Sequence, residues 1–243
     1  MLDKCRVGNF TSSQIWKLMG AGKGKSEWSK TALTYIEEVA MERELGRTLN
    51  ANESSRPTSW GSALEGFVAN KLEDIDIEWC YQSKKTLTHK QIPEWKGTPD
   101  LVGAGKVGDI KCPYTLKSFV KLARICQNDN AEELKEEFPE YYWQLVSNAV
   151  LTGSGLAELI VYCPEHRELN LIREYLANLD DMNLQTESQW IAFSSDERLP
   201  WIPDDGKLNN LNRLIFVVND KDKTKLTNRV KKAVLCLQKG ENA

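Results

Sequence analysis

Two histidines, His89 and His166, are all the imidazole in 243 residues. That scarcity argues against chemistry needing several ring nitrogens, such as HExxH zinc proteolysis or a two-histidine nuclease. The six cysteines (Cys5, Cys80, Cys112, Cys126, Cys163 and Cys236) contain no CxxC pair, so their spacing gives a metal cluster no support. They are expected to be reduced and buried as small hydrophobes. No apolar run approaches the ~20 residues that span a bilayer, so no membrane association is expected. The opening MLDKCRVGNF lacks the apolar region of a signal peptide. A cytoplasmic location is expected. Internal repeats and low-complexity segments are also missing. So is a large excess of charge: 32 Lys+Arg against 35 Asp+Glu leave a net of -3. This excludes a histone-like binder with a basic surface, though not one basic groove in an acidic body. Gly24-Lys25-Ser26 ends like a phosphate loop, but that pattern needs glycine at the position held by Met19.

What is present suits one α/β domain over residues 1–243. A hydrophobic share of 41% and a charged share of 28% are ordinary for a globular chain. The charge is uneven. Residues 1–35 hold six Lys/Arg against two Asp/Glu, residues 221–239 hold seven against one, and residues 131–140 hold five Glu against one Lys. Periodicity and capping signals predict helices over Ser13–Met19, Thr31–Leu45, Trp60–Glu73 (Ser59 as N-cap), Thr115–Ile125, Pro139–Leu151 and Lys223–Gln238. Strands are predicted over Ile77–Ser83, Thr86–Ile92, Thr98–Val102, Lys106–Cys112, Leu156–Cys163, Leu169–Tyr175 and Arg213–Val218. Gly103-Ala104-Gly105 reads as a hairpin turn, and the acidic stretch 131–140 as a loop. The polar segment between Leu176 and Asn212 reads as an insertion at about 176–212. The order implies a mixed β-sheet flanked by helices.

The most informative stretch is Gly97-Thr98-Pro99-Asp100, followed by Gly108-Asp109-Ile110-Lys111-Cys112-Pro113. On a strand Asp109 and Lys111 point to one face, ~6–7 Å apart. Asp100, on the preceding hairpin arm, can meet them. Taken alone, the D-x-K pair favours a surface hairpin with an Asp–Lys contact. The Pro-Asp nine residues earlier shifts the reading toward a metal nuclease. Hard oxygen ligands of this kind hold Mg²⁺ with several waters, and a lysine beside them can orient a nucleophilic water. Glu65 sits on the third helix among Gly61, Ser62, Ala63 and Gly66, small residues that let a helix approach a sheet. Gln144 shares a polar stripe with Tyr141 and Asn148, opposite an apolar face of Trp143, Val146 and Val150. Of the eight tryptophans, Trp16 and Trp143 fit core packing, whereas Trp28 and Trp201 lie beside loops and are candidates for base stacking.

In combination these residues resemble the PD-(D/E)xK nuclease superfamily, and within it the lambda-exonuclease/YqaJ viral recombinase family. The resemblance covers most of residues 4–165. It runs through Arg6-Val7-Gly8-Asn9-Phe10-Thr11-Ser12-Ser13, similar to an RLGxxTAS segment, then Ser59-Trp60-Gly61 with Glu65, Pro99-Asp100, Asp109-Ile110-Lys111, and Tyr142-Trp143-Gln144. It implies a restriction-endonuclease-like core. It also implies a Mg²⁺-dependent (Mn²⁺ substituting) 5′-to-3′ exonuclease acting on double-stranded DNA ends and leaving 3′ single strands. A homotrimer and a single-strand annealing partner are implied as well. Asp100, Asp109, the Ile110 carbonyl and Glu65 would bind metal, Lys111 would activate water, and Gln144 would steady the lysine or the scissile strand. Arg6 and Ser13 would hold the 5′-phosphate, a role suited to a guanidinium fork and a helix N-terminus. Ser12 departs from the usual alanine, and Asp109 from the more frequent glutamate. The alternatives are a restriction-type or repair endonuclease on the same metal site, or a non-catalytic DNA-binding protein on the same fold.

Overall fold

The chain builds its sheet around one strand that is apolar on both faces. Leu156–Tyr162 is buried from its second residue to its last, the signature of a strand covered on both sides. Ala157, Leu159 and Val161 enter one apolar core, and Ile160 and Tyr162 enter another. The computed structural model describes residues 6–22, 24, 26–49, 55–73, 79–81 and 85–241. Its strands are β1 (Phe10–Thr11), β2 (Cys80–Tyr81), β3 (Leu87–Thr88), β4 (Trp95–Gly97), β5 (Leu101–Gly103), β6 (Lys106–Lys111), β7 (Leu156–Tyr162) and β8 (Leu211–Val217). Its helices are α1 (Lys30–Leu45), α2 (Arg56–Glu73), α3 (Leu116–Gln127), α4 (Ala131–Glu137), α5 (Pro139–Thr152), α6 (Leu169–Ala177), α7 (Met182–Phe193) and α8 (Asp220–Glu241). A five-residue 3-10 turn spans Ile15–Met19.

Two mixed sheets result. The larger runs β2-β5-β6-β7-β8, with β6 and β7 parallel and the other pairs antiparallel. The β6-to-β7 crossover carries α3, α4 and α5, as a parallel pair requires. The smaller sheet runs β1-β4-β3, with β1 parallel to β4. One core joins α1, α3, α5 and α8 to one face of the large sheet. The other joins α2, α6 and α7 to the opposite face.

Several expected elements are placed differently. Leu169–Tyr175 is helical, not a strand: Leu169, Ile172 and Leu176 are the buried positions of α6, a helical spacing. The acidic stretch is α4, not a loop. Asn130 caps it by accepting from the Glu133 amide at 3.1 Å, and Glu132 and Glu133 complement its N-terminus. Ser59 is not a cap but lies inside α2, which starts at Arg56. Ser55 Oγ accepts from the Thr58 amide at 3.4 Å, and Pro57 fits the first turn. Within 176–212 the chain forms α7, capped by Asp181, whose Trp190 donates to Ser59 Oγ at 2.8 Å. Ser13–Met19 shortens to the 3-10 turn, and β4 separates from the stretch expected to begin at Thr98. Of Ile77–Ser83, only 79–81 fall among the described residues. Cys112, Cys126 and Cys163 are buried as expected, but Cys80 and Cys236 are exposed. Cys5 lies outside the described residues. Among the described residues, no helix is long and apolar enough to cross a membrane.

Candidate active site

The site forms where β5 is too short for its partner. β5 pairs with β6 only from Lys106 to Gly108, so β6 continues through Asp109, Ile110 and Lys111 with one flank free of backbone pairing. The Asp100 side chain fills that flank: its Oδ2 accepts from the Ile110 amide at 2.7 Å. A strand residue's N–H and C=O point to the same edge, so the Ile110 carbonyl also faces Asp100. Asp109 pairs in register with Leu159 and shares its face. It is fully buried, and its Oδ1 accepts from Gln144 Nε2 of α5 at 2.7 Å. The Lys111 ammonium lies 2.5 Å from Asp109 Oδ2. From the other layer, α2 brings in Glu65, whose Oε1 accepts from the Tyr81 hydroxyl at 3.1 Å. Gly66 makes this approach possible, since a β-carbon there would lie 2.4 Å from the Tyr175 hydroxyl. Gly61 has open space around it.

Crowded carboxylates in a dry setting resist ionisation together. Burial, then the charges of Asp109 and Glu65, push Asp100 well above the usual carboxylate range. Burial also raises Glu65, against the pull of Lys111 and Tyr81. Burial alone would lower the Lys111 ammonium, but Asp109 and Asp100 outweigh it and hold the lysine protonated above its ordinary range. The Tyr141 ring sits 5.2 Å from that ammonium. The site therefore has an unspent capacity for positive charge.

Among the described residues, no three His, Cys, Asp or Glu side chains form a ready-made metal cage. Mg²⁺ does not require one, because it keeps several waters and binds through one or two carboxylates plus substrate phosphate. The raised Asp100 and Glu65 and the all-oxygen donor set fit such an ion.

The N-terminal segment forms a second feature. Arg6 Nη2 donates to Ser13 Oγ at 3.2 Å, at the wall of a cavity of about 290 Å³ that also takes in Thr11, Lys17, Tyr35 and Glu42. Its carboxylates are engaged: Glu42 accepts from the Gly8 amide at 3.0 Å, and Glu38 lies 3.6 Å from Lys17. Arg6 has no carboxylate partner among the described residues. The element after Ser13 is a five-residue 3-10 turn, so the helix N-terminus expected to favour an anion is not there. The cavity's attraction for an anion rests on Arg6, Lys17 and the hydroxyls.

The structure thus brings Glu65, Asp100, Asp109, Lys111 and Gln144 together, and separately joins Arg6 to Ser13. Gln144 contacts Asp109 rather than the lysine. Asn148 does not share the site but is buried against Gly97, where a β-carbon would lie 2.8 Å from its Oδ1. Trp28 lies under the Arg229 guanidinium at 3.9 Å, and Trp201 donates to the Asp196 carbonyl at 2.9 Å. Both tryptophans expected to stack on bases are therefore engaged within the chain. Sequence reasoning missed Tyr81, whose role depends on a pairing with β5 that no local spacing announces.

No family model and no curated protein matches the chain. Solved structures do. LHK-Exo, an alkaline exonuclease from Laribacter hongkongensis, is similar over 97% of this chain and 90% of its own, at 15% identity and a TM-score of 0.62. In its complex with dAMP the figures are 98%, 91%, 15% and 0.64. A phage related exonuclease from Haemophilus somnus 129PT is similar over 93% of this chain and 91% of its own, at 16% identity and a TM-score of 0.64. The chain has the α/β fold of these exonucleases.

Proposed function

We propose that this chain is a divalent-metal-dependent deoxyribonuclease that degrades double-stranded DNA from its ends in the 5′-to-3′ direction and leaves 3′ single strands. The observation that carries the reading is the convergence of Glu65, Asp100, Asp109 and Lys111 on the unpaired flank of β6. The fold shared with exonucleases supports it. Asp100, Asp109, the Ile110 carbonyl and Glu65 would hold Mg²⁺, with Mn²⁺ as a substitute. When bound, the ion supplies Lewis-acid polarisation of the phosphoryl oxygens and a more acidic water. Gln144 holds Asp109 Oδ1 and so leaves Oδ2 turned into the site. Lys111, kept protonated by Asp109 and Asp100, orients the attacking water by hydrogen bonding and offsets charge as the phosphorus centre becomes five-coordinate. Arg6 and Ser13 hold the 5′-phosphate, which places the end of the duplex and sets the direction. The same reading carries a homotrimer around the duplex and a single-strand annealing protein as partner.

The test uses linear 5′-phosphorylated duplex and the same sequence as a covalently closed circle, each with and without Mg²⁺. Mg²⁺-dependent loss of the linear substrate alone is expected. Cleavage of the circle would replace the exonuclease reading with an endonuclease. No cleavage of either substrate would remove the enzymatic reading.

A further inference from the structure

Ser12, the residue that departs from the TAS pattern, sits in a buried hydrogen-bond circuit that no catalytic role uses. Trp95 Nε1 donates to Ser147 Oγ at 2.8 Å. Ser147 Oγ and Ser12 Oγ share a hydrogen bond at 2.7 Å, and Ser12 Oγ also lies 3.5 Å from the Lys96 carbonyl, which can accept from it. The Ser12 amide donates to the same carbonyl at 2.9 Å. The circuit leaves β4 at Trp95, crosses to α5, passes to the chain just after β1, and returns to β4 at Lys96. Trp95 and Ser147 are fully buried and Ser12 is 2% exposed. Hydrogen bonds linked in so dry a setting reinforce one another. Gly97 makes room for it: a β-carbon there would lie 2.2 Å from Ser12 Oγ and 2.6 Å from Leu151 Cδ1.

The circuit's position gives it meaning. Ser147 is three residues after Gln144, hence on the same face of α5 and one turn along. Gln144 grips Asp109, and Ser147 grips Ser12, the neighbour of Ser13, which contacts Arg6. β4 leads through Thr98 and Pro99 to Asp100. A single helical face therefore touches the cleavage carboxylates and the segment that walls the Arg6 cavity.

We infer that Ser147 and Ser12 are positioning residues that set the Arg6–Ser13 cavity at a fixed distance from the carboxylates, so that a seated 5′-phosphate presents the next phosphodiester to Lys111. This rests on the nuclease reading above. The test compares cleavage of 5′-phosphorylated and 5′-hydroxyl linear duplexes by the unaltered chain, Ser147→Ala, Ser12→Ala and the double variant, with thermal unfolding followed in parallel. Affinity for a 5′-phosphorylated hairpin in Ca²⁺ in place of Mg²⁺ gives a readout independent of turnover. Small misplacements of a reacting group cost rate steeply, so each single variant is expected to lose about tenfold of the preference for 5′-phosphate. The double variant should lose no more than either single one, since the two hydroxyls act through one contact. If the unaltered chain cleaves without any such preference, the cavity reading and this one fall together. If it prefers 5′-phosphate and Ser147→Ala keeps that preference, or the two losses add, this inference alone is overturned. Should Ser147→Ala unfold, Ser12→Ala, which leaves the Trp95–Ser147 hydrogen bond in place, carries the same expectation.

Discussion

The two polar regions of this molecule solve opposite problems. The carboxylate site at the end of β6 is dry, and burial, reinforced by like charges, holds Asp100 and Glu65 above their ordinary range. The Arg6 cavity is open and already hydrogen-bonded, with its carboxylates occupied by Lys17 and the Gly8 amide. The first stores unfavourable electrostatics that added positive charge would relieve. The second offers donors that an anion could take over. On the proposed reading, chemistry belongs in the strained region and recognition in the relaxed one.

Removing the lysine should break the contrast most severely. Lys111→Ala is expected to lower Mg²⁺-dependent hydrolysis of linear duplex by about 10²–10⁴-fold while retaining DNA binding, as read by turnover and electrophoretic shift. Undiminished turnover would take Lys111 out of the chemistry. Gly97→Ala strikes the junction of the two regions. Its new methyl meets Ser12, Leu151 and Asn148, and overpacking of this kind costs roughly 1–3 kcal/mol, which denaturant unfolding would register. A neutral outcome would mean that the junction is loose.

Arg6→Ala should sharpen the contrast by touching recognition alone. A loss of about tenfold in the preference for 5′-phosphorylated ends, near 1.4 kcal/mol, is expected in competition assays, with Mg²⁺ dependence unchanged. The smallest effect concerns the carboxylates without metal. A group whose folded pKa is raised gives stability that is present below the unfolded carboxylate pKa and lost as pH rises through the folded value. In chelator the unaltered chain should therefore lose stability as pH rises from about 4 toward neutrality. Asp100→Asn, always neutral, should escape that loss and melt about 2–4 °C higher at the alkaline end, on the scale of 1 kcal/mol for a chain of this size. Mg²⁺ should close the gap by rescuing the unaltered chain. A gap that narrows with rising pH would contradict the crowding described for the site.

Much of the site was legible because it is local. Asp109 and Lys111 share a strand, and Pro99-Asp100 lies on the adjoining hairpin arm, so spacing alone brings them close. Gln144 was legible as a polar position, but its partner was not: whether it reaches Asp109 or Lys111 depends on how α5 lies across β6. Tyr81 and Ser147 left no signal, since each acts through a contact to a distant segment. The fold read best where period and length agreed, as in β7 and α5. It failed at Leu169–Tyr175, where seven residues of mixed polarity fit alternation nearly as well as a helix. It also failed at α4, where Leu134 is the single buried residue and capping does the work of an apolar face.

The early end of β5 has one more consequence. A strand flank without a backbone partner is an invitation to any other extended chain, and folded proteins guard such flanks with charge or cover. Here the guard is the side chain of Asp100, which occupies the amide of Ile110 and would place a carboxylate against any incoming strand. The flank is thereby closed to strand pairing, so on the proposed reading a substitution of Asp100 made to silence cleavage would also remove a barrier against aggregation.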